Sequence, residues 1–112
     1  ERQRLNYLFE AELSKVDAVV CPSGGVPFEI IPDSQYGGVD SILPILSSIL
    51  PHNSMPADLA GTPTLTLPCG FSEEGIPYSV QFMGPRLGEE GICRLGYAYE
   101  QITDWHSTHP EL

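Results

Sequence analysis

The amino-acid sequence predicts an α/β fold of about three strands and two to three helices. Two short runs, Thr64 to Leu67 and Tyr78 to Met83, are rich in β-branched, aromatic and apolar residues and are bounded by glycine and proline, as strands usually are. A third run, Ala18 to Cys21, is continuously apolar and is followed by Pro22, which is typical of a strand buried on both faces. Helical periodicity on either side of these runs completes the prediction.

Two amphipathic helices are predicted, one near each end of the chain. From Glu1 to Val16 the apolar residues recur on one helical face and the charged residues fall mostly opposite. The same spacing recurs from Glu89 to Thr103, where Gly88 is placed to cap the helix and two glutamates lie at the positive end of its dipole. Apolar positions between Val39 and Leu50 indicate a third, short helix.

The two central strands are predicted to be amphipathic. Thr64 to Leu67 and Ser79 to Phe82 both alternate, so each strand should bury one face and leave the other more polar. The connection from Gly70 to Gly75 is acidic and bounded by glycine, which indicates an exposed turn. Residues 23–52 hold many glycines and prolines without a strand period and are predicted to be loop-rich. For Ala57 to Gly61, helix and loop both stay open.

Composition and charge limit the functions that the chain can have. The 112 residues carry 15 acidic and 5 basic side chains, a formal net charge of -10. Nucleic acids and anionic membranes require clustered Lys and Arg, so neither partner is expected through this surface. The sequence shows neither a long apolar run nor a signal peptide, and three cysteines without paired motifs suit a reducing compartment. We therefore expect a cytoplasmic protein without a cofactor.

Residues from Ser54 onward carry proline and glycine in a specific order. The pattern is formed by Ser54, Pro56, Leu59, Gly61, Pro63, Pro68 and Gly70, then Gly75, Ile76, Pro77 and Gln81. In this order the residues resemble the C-terminal part of the amidase signature family. Asp58 is a departure, because the family more often has Asn there and the aspartate adds a negative charge. Similar residues from Asp17 to Pro22 and from Gly96 to Gln101 extend the likeness over nearly the whole chain, and it is weakest in residues 23–52.

The resemblance implies both a fold and an activity. Residues 1–112 would be the C-terminal part of a single, incomplete amidase domain, in which helices flank a mixed sheet completed by upstream strands. The family hydrolyses carboxamide C–N bonds through a serine acyl-enzyme, using a serine, a second serine in a cis peptide and a lysine on an upstream Gly/Ser-rich segment. No catalytic residue is therefore expected in this chain. Its expected partners are a small-molecule amide substrate and the N-terminal portion of the same protein, and open strand edges make self-association possible.

Ser54, Met55 and Asp58 are the candidate substrate-pocket residues. In family enzymes the matching loop lines the acyl side of the substrate pocket. The alternative is that these residues only shape the turn before the strand at Thr64. Substrate identity stays open among simple amides, aryl amides and the glutamine-linked chemistry of the family's tRNA-dependent amidotransferases.

The chain offers few substitutes for the family's serine and lysine. The pair Ser47-Ser48 lacks the neighbouring glycines that let backbone amides converge on an oxyanion, and is interpreted as helix surface. Lys15 ends the first helix, where the dipole and solvent favour a charged amine. Ser23-Gly24-Gly25 follows a strand and Pro22, and a turn is the better interpretation.

Cysteine and histidine side chains offer two other kinds of chemistry. Cys69 could act as a thiol nucleophile with His52 or His106, but a cysteine at a strand end is more often a small buried hydrophobe. His106 and His109 could bind a metal with nearby acidic residues, yet terminal histidines are more often solvated and no Cys-x-x-Cys pair is present. The sequence thus predicts no metal site.

A second function class remains beside the amidase. The chain could act alone as a non-catalytic binding or interaction domain with an amidase-like fold. A continuous upstream reading frame encoding a lysine and a Gly-Ser-Ser-Gly-like segment would favour the amidase, whereas a start codon directly before Glu1 would favour the binding domain.

Overall fold

The computed structural model describes residues 1–24 and 53–109. Along the chain lie α1 (Arg2–Leu13), β1 (Val19–Pro22), α2 (Ser54–Ala60), β2 (Thr64–Phe71), β3 (Pro77–Met83), α3 (Glu89–Glu100) and a 3-10 turn (Trp105–Ser107). The predicted α/β class is confirmed. The helix predicted between Val39 and Leu50 lies outside the described residues.

The three described strands form one antiparallel sheet in the order β1-β3-β2. Phe82 of β3 pairs with Val20 on one side and with Leu65 on the other, so β3 is the central strand. Strand β2 extends past the predicted end at Leu67, because an irregularity in register between Pro68 and Gly70 lets the pairing continue. Proline and bulges are tolerated at a sheet edge, where no ladder bond is lost.

Helix α3 covers one face of the sheet. The predicted alternation in β2 is present, since its leucines are half-buried and its threonines exposed. Leu65 and Leu67 pack against α3 at Gly96. Phe82 meets Tyr99 edge to face, with ring centroids 5.8 Å apart. The Tyr99 hydroxyl also donates a hydrogen bond to the Pro68 carbonyl at 3.3 Å, which fixes the helix across the edge of β2.

Helices α1 and α2 pack against each other. Leu13 of α1 is buried, as are Ala57 and Ala60 of α2. The Asn6 amide, oriented so that its nitrogen donates, bonds the carbonyls of Arg2 and Ala60 at 3.0 Å. The segment that the sequence left open between helix and loop is therefore helical, and it ends at Gly61 in the left-handed conformation usual after a helix.

Both long helices are shorter than predicted. α1 ends at Leu13, and the Ser14 hydroxyl bonds the Ala11 carbonyl at 2.9 Å. α3 ends at Glu100, and the Thr103 hydroxyl bonds the Tyr99 carbonyl at 2.9 Å. The apolar periodicity of the sequence continues past both ends, but the hydroxyls of Ser14 and Thr103 donate hydrogen bonds to carbonyls of the last turn there. Among the described residues, no helix has the length and apolarity needed to cross a membrane.

We predict that Gly96→Ala destabilises the chain by about 1–3 kcal/mol, because the new methyl group would overlap the Leu65 side chain and force the helix off the sheet. Gly91→Ala is the matched control on the same helix. Its new methyl group would meet nothing within 4 Å, so it should stabilise the chain by about 0.5–1 kcal/mol through helix propensity. Denaturant unfolding of both variants measures the difference, and equal effects would contradict this packing.

Candidate functional site

The candidate site lies where the end of β1 meets the start of α2. The Asn53 side-chain amide donates a hydrogen bond to the Pro22 carbonyl at 2.8 Å. This bond joins two parts of the chain that are 31 residues apart in sequence. It holds the backbone of Ser54 and Met55, at the first turn of α2, beside the end of β1.

A pair of serines continues β1 toward the site. The Ser23 amide donates to the Ser79 carbonyl at 3.1 Å, one step beyond the last strand residue Pro22. The hydroxyls of Ser23 and Ser79 also hydrogen-bond each other, and both residues are half-buried. Each hydroxyl can donate once and accept twice, so the pair keeps further hydrogen-bonding capacity.

A second polar row crosses the sheet beside the serines. Cys21 and Thr66 both pair with Gln81, so all three side chains point to one face. The Cys21 thiol donates to the Gln81 side-chain oxygen at 3.6 Å. This face is opposite the one that α3 covers, because Phe82 follows Gln81 in the strand. Gln81 is only 3% exposed, although the sequence placed it on the more polar face.

The groups of this polar face are electrically neutral. Burial raises the pKa of the Cys21 thiol, which keeps it protonated. Within residues 1–24 and 53–109, neither hydroxyl of the serine pair bonds a histidine, lysine or carboxylate. A serine nucleophile needs an adjacent base at about 3 Å, and the part of the chain that the structure describes places no such base beside these hydroxyls, which can hold a polar ligand.

The predicted pocket residues all lie on α2. Met55 is half exposed and lies two residues from Asn53, whose side chain hydrogen-bonds Pro22 at the end of β1. Asp58 is exposed and lies one turn further along α2. The assignment of Ser54, Met55 and Asp58 to a substrate pocket stays a prediction.

The other candidates lie apart from this face. The Lys15 amine bonds both carboxylate oxygens of Glu12 at 2.9 Å, and both side chains are well exposed. Cys69 is half-buried in the irregular part of β2, and His106 and His109 are exposed. No group of three or more His, Cys, Asp or Glu residues in the described ranges could hold a metal. The pair Ser47-Ser48, together with His52, falls outside those ranges.

Asn53 and Ser79 were not predicted as functional candidates. Asn53 precedes a helix and has the residue type of an N-cap, but its side chain makes no capping bond and reaches Pro22 instead. Ser79 is two residues from Gln81, and the period of a strand places both on one face. The alternation of residues in β3 could therefore have identified Ser79, whereas nothing in the sequence indicated the contact of Asn53 with β1.

Comparison with known proteins identifies the family. The sequence profile of the Amidase family matches residues 1–93. The chain therefore belongs to the amidase family, as the motif around Gly61 and Pro63 indicated.

The relatives that match are much longer than this chain. A glutamyl-tRNA(Gln) amidotransferase subunit of Cyanothece sp. (strain PCC 7425) is 37% identical over 105 residues, which cover 93% of this chain and 20% of the relative. The subunit of the same name from Thermodesulfovibrio yellowstonii is 41% identical over 105 residues, which again cover 93% of this chain and 20% of the relative. The crystal structure of the corresponding glutamyl-tRNA(Gln) amidotransferase subunit from Thermotoga maritima matches with a TM-score of 0.53 and 28% identity, over 83% of this chain and 19% of that one. The chain thus spans about a fifth of the length of these relatives.

We predict that Cys21 reacts more slowly with iodoacetamide than Cys93, which is exposed on α3, because burial raises the pKa of the Cys21 thiol and only the thiolate reacts. Burial raises the folded pKa of Cys21, so its thiol contributes fully to the free energy of unfolding below the unfolded pKa of about 8.5. As the pH rises from there through the folded pKa, the free energy of unfolding should fall. Peptide mapping after timed alkylation gives both rates, and equal rates in native buffer would contradict the burial of Cys21.

Proposed function

We propose that this chain is the C-terminal part of an amidase-signature enzyme that cleaves carboxamide C–N bonds through a serine acyl-enzyme. The nucleophile and its base would lie in the part of the domain outside this chain. The match of residues 1–93 to the Amidase family supports this proposal, together with the fifth of the relatives' length that the chain spans.

The observation that carries the proposal is that the serine hydroxyls and the lysine amine of the described residues are paired with groups that do not activate them. Ser23 and Ser79 on the polar face hydrogen-bond each other, and Lys15 forms an ion pair with Glu12 at the protein surface. The residues that the structure describes therefore contain family-like architecture without an activated nucleophile. A separate catalytic segment accounts for both findings.

The part played by this chain would be to shape the substrate site. The Asn53 contact with Pro22 supports a pocket formed by Ser54, Met55 and Asp58 beside the polar end of the sheet. Neutral hydroxyl, thiol and amide groups suit a neutral carboxamide, because they can donate and accept without attracting a charged ligand. We propose a carboxamide donor such as glutamine as substrate, with its neutral side-chain amide facing these groups, since the matching relatives are named as parts of a glutamyl-tRNA(Gln) amidotransferase.

The partners and location follow from the same proposal. The remainder of the amidase domain would be the main partner, and membership of an amidotransferase complex would add others. The three free cysteines support a reducing, cytoplasmic location.

We predict that the chain alone does not hydrolyse glutamine, acetamide or a chromogenic anilide, because removing the nucleophile, base and oxyanion donors as a unit costs many orders of magnitude. The measurement is ammonia or aniline release by purified chain, with Ser23→Ala and Ser79→Ala as controls. Turnover that follows the chain through two columns and is abolished by either serine variant would contradict the proposal.

We predict that Asp58→Asn changes substrate preference in the complete enzyme with a stability change within about 0.5 kcal/mol, because the side chain is exposed and the change is isosteric. The kcat/KM values for neutral and cationic amides measure the effect. Asp104→Asn makes the same change beside the 3-10 turn, where that side chain makes no capping bond, and should leave preference unchanged. A uniform loss of activity with a lowered melting temperature would make Asp58 structural.

A further inference from the structure

Two asparagine side chains hold the two ends of α2 to the rest of the molecule. At the C-terminal end, the Asn6 amide of α1 donates a hydrogen bond to the Ala60 carbonyl at 3.0 Å. At the N-terminal end, the Asn53 amide donates to the Pro22 carbonyl at 2.8 Å. The two bonds have the same chemistry, but the bond of Asn53 lies beside the candidate site and that of Asn6 lies at the far end of the helix.

The Asn53 side chain does not cap the helix that it precedes. An asparagine at an N-cap usually has an extended backbone, and its side-chain oxygen accepts a hydrogen bond from an amide of the first turn. Asn53 instead has φ -66° and ψ -12°, in the helical region, and its side chain makes no capping bond. The side-chain amide therefore serves the contact with β1 and not the start of α2.

The Pro22 carbonyl is oriented to receive this amide. The Ser23 amide donates to the Ser79 carbonyl, so the backbone groups of Ser23 face β3. Alternate residues of a strand direct their backbone groups to opposite sides, so the carbonyl of Pro22 is directed away from β3. The Asn53 bond thus fixes the start of α2 against the residue directly before the serine pair.

Met55 is the apolar side chain that this bond places. It follows Asn53 by two residues, in the first turn of α2, and is 50% exposed. A methionine side chain is flexible and adapts its packing to apolar groups. A primary carboxamide has a polar amide end, which suits the hydroxyls of Ser23 and Ser79, and an acyl chain whose methylene groups suit Met55. The separation between the serine pair and Met55 would then limit the length of that chain.

We propose that Asn53 is a positioning residue that limits the length of the acyl chain accepted by the substrate site. This rests on the proposed function and adds to it the residue that sets its selectivity. The bond to Pro22 holds the first turn of α2, and Met55 with it, close to the end of β1. Without the bond, the turn can move outward and admit a longer chain. One methylene group in an apolar pocket changes kcat/KM by about 10- to 200-fold, so a small displacement is measurable.

The test compares kcat/KM of the complete enzyme for a longer and a shorter amide. The two pairs are hexanamide with acetamide, and glutamine extended by one methylene group with glutamine itself. In Asn53→Leu, which removes the amide donor with little change of shape, the ratio of longer to shorter amide should rise by about tenfold or more. Asn53→Asp also lacks the donor and should raise the ratio by a similar factor, although it adds a charge. Asn53→Gln retains the donor and should return the ratio toward that of the unchanged enzyme.

Asn6→Leu is the matched control at the other end of α2. It removes the amide bond to Ala60 by the same substitution. Asn6 is half-buried whereas Asn53 is exposed, so the control should lower the melting temperature at least as much as Asn53→Leu does. The ratio of the two kcat/KM values should nevertheless stay unchanged in Asn6→Leu, because Met55 lies at the opposite end of the helix.

The contrary outcomes separate the role of Asn53 from the proposed function. Amide hydrolysis with an unchanged ratio in both Asn53→Leu and Asn53→Asp would overturn the positioning role and leave the proposed function intact. An equal rise of the ratio in Asn6→Leu would also overturn the role, since the effect would then come from general loosening of α2. An unchanged complete enzyme that hydrolyses neither pair of amides would refute the proposed function, and the positioning role with it.

Discussion

The pairing of β3 with a strand on each side is the constraint on which the described structure depends. Because β3 is central, its alternating residues divide the molecule into two faces. Phe82, together with Leu65 and Leu67 of β2, packs against α3, whereas Ser79 and Gln81 form the polar face with β1. The close approach of α3 is possible only because Gly96 has no side chain to meet Leu65. The candidate site is thus a consequence of strand order and register.

Much of this architecture could be predicted from the sequence. Alternation identified β2 and β3, and apolar periodicity identified α1 and α3. The prediction ended β2 too early, because Pro68 and Gly70 usually end strands and only the edge position of β2 makes them harmless. The helix ends at Leu13 and Glu100 were overestimated because side chains of Ser14 and Thr103 compete for the last carbonyls.

The site was harder to predict than the fold. Local pattern gives the face of a strand residue, so Gln81 could be placed on the polar side. Its burial depends on what covers that side, which no local pattern contains. The contact between Asn53 and Pro22 joins residues distant in sequence, and a single sequence gives no signal for such a pair. The motif around Gly61 identified the family because its prolines fix the backbone, whereas its glycines allow conformations that other residues rarely adopt, such as that of Gly61 after α2.

The edge of β1 and the neutral serine pair have a common explanation. Under the proposed function both would lie inside a larger domain, where an apolar outer strand is covered and a pair of neutral hydroxyls can line a substrate site. Under the proposed function, the chain would supply the sheet and one wall of the site, and another segment would supply the reactive group.

The most direct test of whether the nucleophilic serine lies outside this chain is labelling of the assembled enzyme with a fluorophosphonate, which forms a stable adduct with an activated serine. Mass spectrometry of the digested complex locates the adduct. We expect the label on a serine outside these 112 residues, with Ser23 and Ser79 unmodified. An adduct on Ser23, Ser79 or any other serine of this chain would contradict the proposal that the nucleophile lies elsewhere.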